Sequence, residues 1–157
     1  MTEQSGAIVA SATWEDLETL IGREFVSSWL RVDEDRIAAF ETGSFVESNP
    51  NGVNLALYPE GLVEGFHLLS LLDYLVNGVS FVEDERWSGW NYGFDRVRFV
   101  SPVTTSDRIR VRGSVSSVVE KGEDRLVTYD LTLEVEGREK PGAVAQWLVY
   151  WTVLGDE

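Results

Sequence analysis

The sequence predicts an α+β fold in which a curved antiparallel sheet of about five or six strands wraps a long central helix. Three observations carry that expectation. The segment Leu62 to Val76, LVEGFHLLSLLDYLV, is apolar nearly all round, and such a helix must be covered by other parts of the protein. The segments after it alternate apolar and polar residues, as strands do when one face packs on a core and the other meets water. With 157 residues and 43% hydrophobic content, the chain can bury roughly 70% of its unfolded surface around one core. The reading is one domain, 1–157, with residues 1–20 as an N-terminal helical extension.

The elements follow in order. Thr13-x-x-Asp16 resembles a capping box and opens a short helix from Trp14 to Leu20, which Gly22 closes. Glu24 to Val32 reads as a first strand. Asp33 can cap a second helix running through Phe40, with Ile37 and Phe40 facing inward at a spacing of three. Asn49-Pro50 and Asn51-Gly52 mark a turn-rich loop. Tyr58-Pro59-Glu60-Gly61 then leads into the central helix, which ends near Asn77-Gly78. Two strand-like segments follow around Trp90 to Phe99 and Arg108 to Arg112. Val127 to Glu136 alternates as a half-buried strand, Gly137 to Gly142 turns the chain, and Ala143 to Leu154 is the last strand, with Trp147 and Trp151 on one face.

Composition narrows the function. A net charge of −14 argues against nucleic acid and anionic membranes as partners, since phosphate-rich surfaces are bound by an excess of Lys and Arg. The central apolar run is interrupted by Ser70, Asp73 and Asn77 and is too short for a membrane span. There is no cysteine, hence no disulfide, thiol nucleophile or zinc-thiolate site, and no cofactor or metal is expected. The Met-Thr-Glu-Gln start lacks the regions of a signal peptide, so the expected location is cytoplasmic.

The stretches EGFHLLSLL, NYGFDRVRFVSPV and VEGREKPGAVAQWLV give the chain its family likeness. From Ile21 onward it resembles the MaoC-like, (R)-specific enoyl-CoA hydratase and dehydratase family. The resemblance implies a hot-dog fold, an acyl-CoA or other acyl thioester as ligand, and a homodimer or a heterodimer with a related hot-dog subunit. It also implies a site. Catalytic members follow a Thr-Gly pair with an aspartate and, five positions later, a histidine. After Thr42-Gly43 this chain has Ser44 and Asn49 instead, on a loop about two residues shorter. The usual dyad is replaced, though a slipped alignment offers Glu47 as an acid. Glu64-Gly65 falls where the family has His-Gly, which implies that the Gly65 amide receives the thioester carbonyl.

On the central helix, Glu64, His67 and Ser70 are three apart and share one side, and Asp73 continues the row. His67 is the sole histidine, and hence the only side chain with an intrinsic pKa near neutrality. The row is either a satisfied core or interface network or a recruited acid–base pair of His67 and Glu64 beside Gly65, with Ser70 and Asp73 contacting substrate. Trp90, Tyr92 and Phe94 read as sharing one strand face, as core or as the wall of a pocket for a bulky acyl chain. Arg96, Arg98, Arg108, Arg110 and Arg112 crowd into seventeen positions, either as a wet strand face or, for Arg98 among them, as a phosphate anchor for coenzyme A. Three functions follow. The first is a hydratase/dehydratase-like lyase with altered acid–base residues. The others are a catalytically silent acyl-CoA-binding subunit of a heteromeric hydratase and an acyl-CoA thioesterase using water near Glu64 or Asp73.

Overall fold

The computed structural model describes residues 6–48, 57–84 and 87–154. In chain order these form β1 (Ala10–Ala12), a 3-10 helix (Trp14–Leu20), β2 (Glu24–Val26), α1 (Glu34–Gly43), a 3-10 turn (Val46–Ser48) and α2 (Gly65–Asn77). They continue with β3 (Ser80–Val82), β4 (Trp87–Phe99), β5 (Ile109–Lys121), β6 (Asp124–Val135) and β7 (Ala143–Val153). The main sheet has the order β2-β5-β6-β7-β4, with every pairing antiparallel, and α2 lies against its inner face. This is the hot-dog arrangement.

Alternation in the sequence becomes two faces of the sheet. Ile109, Val111 and Val115 of β5, Val127 to Val135 of β6 at every second residue, and Ala143, Ala145, Trp147, Val149 and Trp151 of β7 are buried beneath α2. Each large side chain so enclosed contributes about 1.5–3 kcal/mol relative to exposure. Tyr129 sits at the centre, edge-on to Phe25 at 5.8 Å and stacked on Trp147 at 5.7 Å, with its hydroxyl near the buried Ser80 Oγ. Lys121 pairs with Asp124, so Gly122-Glu123 is a two-residue hairpin loop whose first position takes φ +67°. Such loops favour glycine there.

The structure departs from the sequence reading in four places. The N-terminal extension is not wholly helical: β1 pairs in parallel with β3, and Trp14–Leu20 is a 3-10 helix kinked at Asp16. The Thr13 hydroxyl donates to Asp16 Oδ2 at 3.3 Å and caps no amide. The first strand ends at Val26, because Ser27 Oγ takes the Val111 amide at 2.9 Å in place of a backbone carbonyl; beyond it the chain still meets β5 through the Ser27 amide on the Val111 carbonyl at 2.9 Å and the isolated Leu30–Ile109 bridge. The central helix opens at Gly65, three residues later than expected, because the Val63 amide donates to the Val103 carbonyl at 2.8 Å and Leu62 pairs with Thr104. The fourth departure matters most. α2 buries His67, Leu68, Leu72, Leu75 and Val76, but leaves Phe66 76% and Tyr74 72% exposed. A single chain therefore covers only half of its apolar helix.

Candidate active site

The site is built at the opening of α2. Glu64 is the N-cap residue, with extended φ/ψ of −61° and 152°, and the first intrahelical bond runs from the Leu68 amide to the Glu64 carbonyl at 3.0 Å. Among the described residues, the amides of Gly65, Phe66 and His67 have no backbone acceptor. Unsatisfied amides and the positive end of the helix dipole make this turn receptive to an oxyanion. A Cβ at position 65 would lie 2.6 Å from Phe99 Cζ, so a larger residue there would have to push that half-exposed ring aside.

In front of this turn lies a cleft of about 860 Å³ between α1 and residues 58–65. Its apolar lining includes Ile37, Val46, Tyr58 and Leu62, and Gly65 lines it too. Five carboxylates also line it: Glu34, Glu41, Glu47, Glu60 and Glu64. Glu34, Glu41 and Glu60 are not among the site residues the sequence suggests. The spacing of seven between Glu34 and Glu41 places both on one side of α1, which is the signal that points to those two. Glu47 accepts from the Thr42 hydroxyl at 2.9 Å.

The other candidate residues disperse. His67 is 6% exposed and stacks face to face with Phe40 of α1, with ring centroids 4.5 Å apart and planes 1° from parallel. Burial, and secondarily the charge of Arg36, hold its pKa below the ordinary 6.5, so the neutral ring is favoured. Among the described residues, the side chains of Glu64 and His67 make no hydrogen bond or ion pair with each other. His67 does not line the cleft. Ser70 donates to the His67 carbonyl at 2.7 Å, and Asp73 accepts from Asn77 at 2.7 Å on the exposed side of the helix. Ser44 is the C-cap of α1, its hydroxyl donating to the Phe40 carbonyl at 2.7 Å. Asn49 lies outside the described residues.

The aromatic row of β4 splits. Register shifts between Asn91 and Gly93 and between Phe94 and Arg96 put Trp90 and Tyr92 on the outer face, where Tyr92 stacks on Tyr150 and Trp90 Nε1 donates to Thr152 at 3.3 Å. Phe94 turns inward and stacks on the buried Trp147. The shared face expected from simple alternation is broken by these bulges. The arginines also divide. Arg110 and Arg112 grip Glu134 at 2.6 and 2.8 Å, Arg112 reaches Glu24 at 2.8 Å, and Arg108 pairs with Glu136 at 2.9 Å. Burial opposes the charge on Glu134, but hydrogen bonds from Arg112 and Arg110 outweigh it and hold the carboxyl below its usual range. Arg110 also lies over the Trp29 ring at 4.4 Å. Arg96 and Arg98, both exposed on β4, are the members of the group without a carboxylate partner among the described residues, and Arg98 donates only to the neighbouring Val97 carbonyl. No cluster of the described residues is suited to hold a metal ion, and none of their helices is long and apolar enough to cross a membrane.

Comparison with known proteins places this geometry. The chain is 34% identical over 141 residues to Nodulation protein N of Rhizobium leguminosarum bv. viciae, covering 85% of this chain and 87% of that protein. It is 33% identical over 122 residues to 3-hydroxyacyl-thioester dehydratase Z of Mycobacterium tuberculosis, covering 77% and 70%. Among solved structures, the MaoC-like dehydratase from Rhodospirillum rubrum superposes with a TM-score of 0.65 at 19% identity, over 90% of this chain and 97% of that one. No family model matches the sequence.

Proposed function

Since the chain belongs to the MaoC-like family of hot-dog hydratases and dehydratases, we propose that it interconverts 3-hydroxyacyl and enoyl thioesters in the cleft at the opening of α2. The observation that carries this reading is that Gly65, whose amide has no backbone acceptor among the described residues, and Glu64 line one cleft. In the dehydration direction a base removes a proton from C2 of the substrate and electron density moves onto the thioester oxygen. The enolate then expels the C3 hydroxyl, which takes a proton and leaves as water. Gly65 donates to the oxygen as charge develops there. Glu64 takes the C2 proton and returns one to the departing hydroxyl, with Glu47 as the alternative carboxylate. His67 joins Glu64 only in a conformation where Phe40 has withdrawn from its ring; otherwise it anchors the first turn of α2.

A second subunit completes the site in this reading. It would cover Phe66, Ser70, Asp73 and Tyr74 on the open side of α2 and the exposed Trp90 and Tyr92 of β4, placing the polar members of that row against a substrate arm. Arg98 is the proposed anchor for a phosphate of the carrier. The expected location is the cytoplasm. A second function, the silent acyl-CoA-binding subunit, draws support from the Ser44 hydroxyl spent on a helix end and from His67 sealed under Phe40.

Hydration of crotonyl-CoA by the purified protein, compared with its Glu64→Gln and His67→Phe variants, tests these readings. Loss of about 10²- to 10⁴-fold in kcat for Glu64→Gln is expected, the range a positioned acid–base group contributes. Thioester binding with no turnover by the wild type, restored by a related hot-dog subunit, would favour the silent-subunit reading instead.

A further inference from the structure

We infer that the outer face of the sheet holds a binding site for a small zwitterion of the class of free amino acids, whatever reaction the cleft at α2 performs. A hollow of about 430 Å³ lies on that face, within the size range of small-molecule sites, and it shares no lining residue with the cleft in front of Gly65. Strand register builds it. Gln146 of β7 lies opposite Arg96 of β4 on one side and Asp130 of β6 on the other, Asp130 lies opposite Ser114 of β5, and Ser114 opposite Glu24 of β2. One row of side chains therefore crosses all five strands, with a cation at the β4 end and carboxylates at its middle and at the β2 end. In the next row Thr132 lies opposite Val144 and Arg112. Short side chains at Ser114, Thr132 and Val144 among the longer Arg96, Arg112 and Gln146 leave the hollow.

The charges in the hollow are unequally engaged. Arg112 is held by Glu24 and Glu134, each at 2.8 Å, so that cation already has its partners. Among the described residues Arg96 has no carboxylate partner and Asp130 no cationic one, its carboxylate accepting only from Gln146 Nε2 at 2.9 Å. The Ser114 and Thr132 hydroxyls likewise make no hydrogen bond to another described residue. Neighbouring strands are about 4.8 Å apart, which sets Arg96 and Asp130 roughly 10 Å apart at the backbone with Gln146 between them. A free guanidinium fork takes a carboxylate in two parallel hydrogen bonds, and a carboxylate without a cation takes an ammonium, with the Gln146 oxygen as a further acceptor. A simple anion drawn to Arg96 also meets Asp130 and Glu24, and a simple cation drawn to Asp130 also meets Arg96 and Arg112. A ligand that carries both charges on one small frame escapes both conflicts. Each pair alone is worth little at an exposed site, so both ends must engage for binding to be measurable.

The test titrates the full chain, followed by backbone amide chemical shifts, with two zwitterions, L-alanine and 4-aminobutyrate, and with the half-ligands propionate and propylamine. Expected for the better zwitterion is saturable binding with a Kd on the order of 1 mM, with shifts centred on Asp130, Thr132 and Gln146, and at least about 10-fold weaker binding of either half-ligand. Arg96→Gln and Asp130→Asn, both at exposed positions, should each weaken the zwitterion about 10-fold, the effect of one lost charge-assisted pair, with the melting temperature unchanged. The reversed pair, Arg96→Asp with Asp130→Arg, should bind the zwitterion more tightly than either single variant, since the ligand can turn round. Where the reversed pair does not fold, the two single variants decide. Propionate or inorganic phosphate binding as tightly as the zwitterions, with Asp130→Asn without effect, would overturn the inference in favour of an anion site. So would shifts that neither single substitution alters, or no shift with either zwitterion up to about 50 mM, where a millimolar site is nearly full.

Discussion

At the scale of single residues, the sole histidine shows how a sequence can mark a position without disclosing its state. Its spacing from Glu64 is visible along the helix, but Phe40, twenty-seven positions earlier, lies flat against the ring and replaces the expected carboxylate as its neighbour. Burial and Arg36 lower the His67 pKa in the folded protein. Through the histidine range the unfolded chain then takes up a proton that the folded chain resists, so this group's stability is present above about pH 6.5 and is lost as pH falls below it. Melting curves at pH 7.5 and 5.5 should show a larger acid-induced fall for the wild type than for His67→Phe, whose ring keeps the stack on Phe40 without a titrating group. An equal fall in both proteins would remove His67 from the account of acid stability.

At the scale of elements, legibility depended on how local the cause was. β6, β7 and the Asp33 cap of α1 follow from alternation and from a side chain three residues from the amide it accepts, with Asp33 Oδ1 taking the Arg36 amide at 2.9 Å. The end of the first strand was not legible, because it is set by Ser27 reaching Val111 of β5, 84 positions away. The split of the β4 aromatics was hidden for a related reason, since bulges appear only when a strand meets its partner. The pairing of Arg108, Arg110 and Arg112 is hidden in the same way, because Glu136, Glu134 and Glu24 meet them only across the sheet. Two substitutions test these long-range causes. Ser27→Ala leaves the buried Val111 amide without its acceptor and should cost about 1–3 kcal/mol. At about 2–4 °C per kcal/mol for a domain of this size, the loss is visible in a melting curve. Gly113→Ala would bring a Cβ within 2.6 Å of the Asp130 carbonyl and 3.0 Å of Phe25, so the β2–β5–β6 junction must give. An expected loss of about 1–3 kcal/mol follows from such overpacking, and a variant as stable as the wild type would show the junction to be loose.

For the whole molecule, the half-covered helix and the exposed edge strand are one problem. An apolar helix expected to be enclosed shows Phe66 and Tyr74 to solvent, and β4, at the end of the sheet, shows Trp90, Tyr92, Phe94 and Phe99 at 40–65% exposure. A strand edge with unpaired amides and carbonyls invites pairing, and so many exposed large apolar side chains mark a surface that a partner covers. A second copy of this chain, or a related hot-dog subunit, joined at β4 would extend the sheet and cover the open side of α2 together. The expected species in solution is therefore a dimer with a mass near twice 17.6 kDa by light scattering at micromolar concentration. Phe94→Lys combined with Tyr74→Lys places a charge on each half of that surface and should yield a folded monomer with lower thioester turnover, because the pocket loses the wall its partner supplies. A wild-type protein that scatters as a monodisperse monomer, with turnover unaffected by the two lysines, would mean that one subunit carries the complete site and that the exposed aromatics serve another purpose.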